Sequence, residues 1–106
     1  MPKYLVLASY TAEGIKGVLK DGGTKRRQAA EAALKSAGGR LEAFYFAFGD
    51  QDAVVIVDAP DNATVAAASM AISASGAVQA KTIVLLTPEE IDQAAKKQTS
   101  YTPPGR

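Results

Sequence analysis

LEAFYFAFGDQDAVVIVD, residues 41–58, is the stretch that decides the fold. Two runs rich in aromatic and β-branched residues, Leu41–Phe48 and Ala53–Asp58, flank the polar Gly49-Asp50-Gln51-Asp52. Each run is too short for an ordinary helix and has the composition of a strand. Glycine followed by turn-forming aspartates predicts a tight antiparallel hairpin with a glycine-assisted bulge. Gly49 and Asp50 are therefore turn residues first. Aspartates in such turns accept backbone N–H bonds, and a calcium loop would need further oxygen ligands and a distal Glu that are absent here.

Working outward, the chain repeats a simple alternation. Upstream, Gly38-Gly39 closes a helical pattern from about Thr24 to Ala37, with Ala30, Ala33, Leu34 and Ala37 on its inner face and a Glu31–Lys35 pair outside. Asp21-Gly22-Gly23 separates it from a shorter helix that starts after the cap Thr11 and carries Ile15, Val18 and Leu19 as an apolar stripe. Lys3–Tyr10 before it reads as a strand. Downstream, Ala59-Pro60-Asp61-Asn62 is a loop ending in a helix cap. The helix Ala63–Ser75 should bury Val65, Ala68, Ser69 and Ile72, and Gly76 stops it before the strand Val78–Leu86. Thr87-Pro88-Glu89-Glu90 is a capping box that opens a short C-terminal helix to about Lys97. The domain is thus expected over 1–97, with 98–106 as a flexible tail.

Strand-helix-strand-strand-helix-strand predicts an α+β, ferredoxin-like domain, with both crossover helices on one face of a four-stranded antiparallel sheet. Strict alternation then exposes a problem. Tyr4, Val6, Ala8 and Tyr10 share one face of the first strand, and Leu5 and Leu7 occupy the other. On the second strand Leu41, Ala43, Tyr45 and Ala47 oppose Phe44, Phe46 and Phe48, and on the third Val55 and Val57 oppose Val54 and Ile56. Both faces are apolar, whereas a half-exposed sheet alternates. Either a second copy packs on the open face, giving a C2 homodimer, or the C-terminal helix folds back over it.

Composition limits the chemistry. The 106 residues contain no Cys and no His, which removes disulfides, thiol nucleophiles, histidine bases and the common zinc, copper and haem ligands. No metal site and no cofactor are expected. With 12 Lys and Arg against 11 Asp and Glu, the net charge of +1 provides no field for nucleic acid or anionic lipid. Neither is expected as a partner. Without an apolar segment long enough to span a bilayer, a cytoplasmic protein is the expectation.

Glu13-Gly14-Ile15-Lys16, Thr24-Lys25-Arg26, Gly38-Gly39 and the run from Phe48 to Asp61 resemble the GYD-domain family, small bacterial proteins of largely uncharacterised function. The likeness spans roughly residues 3 to 90. It implies a ferredoxin-like fold of the dimeric α/β-barrel type. Gln51 stands where the family usually carries Tyr, and Gln79 where many members have Arg.

Lys16 and Arg26, on either side of the Asp21-Gly22-Gly23 break, are candidate anion-binding residues, since arginine forks to a carboxylate and lysine adds a point charge. The alternative is that both are solvated surface cations. Asp52 is a candidate partner for either cation. Tyr10 and Tyr45 are candidate cleft residues, because a buried hydroxyl requires a partner; the alternative is that these aromatics are simply core and dimer contacts. Three functions fit. The leading one is a homodimeric binder of an anionic or aromatic metabolite, held in a cleft near Lys16, Arg26, Tyr45 and Asp52. The second is a cofactor-free monooxygenase or isomerase with Asp52 or Tyr45 moving the proton, by fold analogy alone. The third is a subunit that exists mainly to assemble with others.

Overall fold

In the computed structural model, which describes residues 1–106, the elements in chain order are β1 (Lys3–Tyr10), α1 (Ala12–Asp21), α2 (Gly23–Ser36), β2 (Arg40–Phe46), β3 (Ala53–Asp58), α3 (Asn62–Ala74), β4 (Val78–Leu85) and α4 (Pro88–Lys96). β1 pairs antiparallel with β3 on one side and with β4 on the other, and β2 joins the far edge of β3. The order β2-β3-β1-β4 is the ferredoxin-like arrangement that the element order predicts. Gly22, at φ 83°, ends α1 by turning its N–H onto the Val18 carbonyl, so α1 and α2 are separate helices. Side-chain caps start the others: Asp61 accepts from Thr64 N–H at 2.8 Å, and Thr87 and Glu90 close the expected capping box.

The strand registers sort the side chains. Tyr4, Val6 and Ala8 lie level with Val57, Val55 and Ala53, and these form the face that α2 and α3 cover. Tyr4 is 1% exposed, and its hydroxyl donates to Asn62 Oδ1 at the start of α3, tying the central strand to the helix above it. Leu5 and Leu7 lie level with Ile56 and Val54 on the opposite face.

The hairpin is wider than the sequence predicts. β2 ends at Phe46, and residues 47–52 form the connection, closed by Ala47 N–H on the Asp52 carbonyl at 2.8 Å. The reason lies in β1. Asp52 N–H donates to the Ala8 carbonyl, Tyr10 N–H donates to Asp52 Oδ2 at 2.8 Å, and Ser9 donates to the Asp50 carbonyl and Gln51 Oε1. The connection bonds to the central strand instead of folding tightly on β2. Phe48, expected in the strand, stands in this connection fully exposed.

The bulge, too, sits elsewhere. It falls between Leu41 and Ala43, where Glu42 is the extra residue. One inserted residue inverts the alternation, so Leu41 joins Phe44 and Phe46 on the helix-covered face, while Ala43 and Tyr45 fall on the open one. This corrects the faces expected for β2.

α4 does not fold back over the sheet. Every residue from Leu86 to Arg106 is exposed, and the radius of gyration of 16.9 Å exceeds the roughly 13 Å of a compact chain this long. The stripe expected to anchor α1 is also only partly used, as Leu19 remains 80% exposed. What holds α1 instead is a close approach at Gly14. Thr11 N–H donates to the Ala77 carbonyl, and a Cβ on Gly14 would lie 2.1 Å from that same oxygen. Backbone cannot yield that distance cheaply. Gly14→Ala should therefore destabilise the fold by about 1–3 kcal/mol, read as a lower midpoint in urea unfolding with an unchanged m-value.

Candidate functional site

α2 and α3 present small side chains to the sheet. Ala29, Ala30, Ala33 and Ala37 on α2, with Ala68 and Ser69 on α3, cannot reach across to Val6, Ala8 and Val55 below. A cavity of about 190 Å³ remains between the two helices and the sheet, and 18 of its 22 lining residues are hydrophobic. In so apolar a setting the few polar groups fix how anything binds. Ser69 is already engaged with the Thr82 hydroxyl at 3.2 Å. Arg26 is the one charged side chain in the lining.

Arg26 sits in the first turn of α2, where its guanidinium stands 6.0 Å from the centre of the Tyr10 ring, a cation–π distance. Its Nε is buried and meets no acceptor in the chain. Nearly all buried polar atoms are paired, so a buried arginine donor without an acceptor is unusual. The aromatic wall continues from Tyr10 to Phe46, with ring centres 6.5 Å apart, and then to Phe44 at 5.2 Å edge-on. Phe46 in turn packs under Gly23, where a Cβ would lie 2.8 Å from its ring. That contact seats the start of α2, and Arg26 with it, above the aromatic wall. Tyr10 and Arg26 also border a second, more polar hollow of about 440 Å³ between α1 and α2, which holds Glu13, Asp21 and Lys25. They therefore stand where the apolar cavity opens.

Among the residues singled out from sequence, the fold brings Tyr10 and Arg26 together and separates the rest from them. Lys16 is exposed on α1 and lines neither hollow. Tyr45, 70% exposed, lies on the opposite face of the sheet with no buried hydroxyl to satisfy. Asp52 forms no ion pair with Arg26 or Lys16; its carboxylate receives the Tyr10 N–H and so fixes the end of β1 beneath Arg26. Gly49, at φ 137°, and Asp50 belong to the connection.

Sequence reading overlooked one polar cluster. Asp58, 4% exposed, accepts from Lys3 Nζ at 2.9 Å and from Arg40 Nη2 at 2.9 Å, and Lys3 also reaches Glu42 at 2.7 Å. The bulge at Glu42 is what aims that carboxylate. The available signal was an aspartate ending an otherwise apolar strand. Hydrogen bonds from Lys3 and then Arg40 hold the Asp58 carboxyl below the usual aspartate value, and donating to Glu42 and then to Asp58 raises Lys3.

A ferredoxin-like α+β domain with a cation at the opening of an apolar cleft is the class of protein that these features define. The chain belongs to the GYD domain family, whose sequence model matches residues 4–95. Neither the curated proteins nor the solved structures contain a significant match to it. No helix is long and apolar enough to cross a membrane.

Asp58→Asn should lower stability at neutral pH by about 1–2 kcal/mol, the lower part of the range for hydrogen bonds to charged groups, because Lys3 and Arg40 are exposed enough to rehydrate. As pH falls, the unfolded chain takes up the proton on this carboxyl before the folded one does. The advantage of the natural chain is thus complete above about pH 4 and shrinks below it as the folded carboxyl protonates. Urea midpoints of both proteins from pH 7 down to pH 3 measure the convergence.

Proposed function

We propose that this protein is a homodimer that binds a small metabolite in the cleft between its helices and sheet, and releases it unchanged. The observation that carries the reading is the cleft itself: an apolar cavity with a single cation, Arg26, whose Nε is buried without an acceptor. Binding is favoured over proton-transfer chemistry because Asp52 is absent from the lining and its Oδ2 is committed to the Tyr10 N–H. The cleft offers no carboxylate to act as base.

The second copy follows from the other face of the sheet. Leu5, Leu7, Val54 and Ile56 form a continuous apolar centre there, and β4 extends it with Ile83, which is 45% exposed. Lys3, Arg40 and Asp58 bound it at one end and Lys81 at the other, the polar border that interfaces commonly have. α4 does not cover this face. A self-complementary apolar patch related by a two-fold axis buries it against itself.

Two measurements check the proposal. Light scattering should give twice the 11.0 kDa chain mass, and Ile83→Lys should weaken association at least tenfold while leaving the circular dichroism spectrum unchanged. A monomer at every concentration would remove the dimer. A ligand for the cleft should raise thermal stability, by about 2.7 kcal/mol at one hundred times its Kd, and should be recovered chemically intact. Conversion of the ligand would instead favour catalysis.

A further inference from the structure

We infer that the cleft accepts an amphipathic monocarboxylate, with a single aromatic ring or a short aliphatic chain held among the alanines and its carboxylate forked onto Arg26. This rests on the reading of the cleft as a ligand site and adds the class of ligand. Size comes from the cavity. An engineered apolar cavity of about 150 Å³ admits benzene, so about 190 Å³ admits one ring with a short linker.

Charge comes from Arg26. A guanidinium presents Nε and Nη donors side by side, the geometry that matches the two oxygens of a carboxylate. The Nε donor is buried and has no acceptor in the chain, and Arg26 lines the cavity, so a small shift of the side chain toward a bound carboxylate would pair a donor that the fold leaves unsatisfied. The Tyr10 ring lies on one side of the guanidinium, 6.0 Å from its carbon, at the outer edge of a cation–π contact. A monoanion is matched by this one cation. A dianion such as a phosphate monoester would leave a charge uncompensated against an apolar wall, and the adjoining hollow offers no remedy, because Lys25 there is offset by Glu13 and Asp21.

The test uses matched isosteres: 3-phenylpropanoate, 3-phenylpropanamide and 3-phenylpropylamine, each titrated calorimetrically into the full chain. The acid should bind about ten- to one-hundredfold more tightly than the amide, the difference expected of charge-assisted paired hydrogen bonds. The amine should bind more weakly than either. Arg26→Gln should abolish the preference for acid over amide. Because Nε of Arg26 bonds to nothing in the chain, this variant leaves no partner orphaned and should stay folded. Ala30→Leu, which fills the cavity, should reduce binding of acid and amide alike.

The outcomes separate. Equal affinity for acid and amide, both lost in Ala30→Leu, would overturn the carboxylate assignment and leave the cleft as the site. An acid preference that survives Arg26→Gln would overturn the role of Arg26. Absence of binding by all three compounds, or binding insensitive to Ala30→Leu, would overturn the cleft reading itself.

Discussion

A methyl group extends only a short way from a helix, and the geometry of this protein depends on that limit. Where leucine or phenylalanine would cross the gap between helix and sheet, α2 places Ala29, Ala30, Ala33 and Ala37, and α3 places Ala68. Ala29, Ala33 and Ala37 are themselves exposed, so the space is a groove open to solvent along α2, and its walls must be held from elsewhere. The support stands at the periphery of the cleft. Tyr4 is anchored to Asn62, Phe46 seats the start of α2 at Gly23, and Leu34 and Ile72 pack against the buried cluster. The helices are held at their ends and margins, and the middle stays open.

The same supports place the cation. The Phe46–Gly23 contact sets the first turn of α2. The bond from Tyr10 N–H to Asp52 sets the end of β1, and the guanidinium of Arg26 lies over the ring between them. Asp52 therefore matters to the site through the backbone of β1 and not through its charge. The wide connection at residues 47–52 follows from this arrangement, because a tight two-residue turn would pull Asp52 away from the central strand. On the other side of the sheet the Glu42 bulge decides what is exposed. By rotating Ala43 and Tyr45 outward and Phe44 inward, it completes the aromatic wall of the cleft and trims the open face to mainly aliphatic residues.

Much of the fold was legible in the chain because its signals are local. Paired glycines at 22–23 and 38–39, the caps Thr11 and Thr87, and the short β-branched runs each act within a few residues, and the elements they predict all form, α3 starting one residue earlier than expected with Asp61 as its cap. The inner faces of α2 and α3 were likewise readable from helical spacing. What escaped were the features set by tertiary contacts. A bulge at Glu42 depends on a partner strand and a lysine 39 positions away, and no local pattern marks it. The loop at residues 47–52 takes its width from β1, which is remote in sequence. Of the candidate site residues, Arg26 and Tyr10 were separable from Lys16 and Tyr45 only once the faces of the helices and of β2 were fixed.

The orphaned Nε–H of Arg26 also supplies the most direct observable. Buried arginine Nε–H groups give resolved resonances in ¹⁵N-correlated proton spectra, and this one, buried in the fold, should be visible. On titration with 3-phenylpropanoate, that resonance should move downfield as it gains an acceptor, together with the amides of Ala30, Ala33 and Ala68, while those of Leu7, Val54 and Ile83 on the open face stay in place. An Arg26 signal that remains fixed while the open-face amides move would contradict the account.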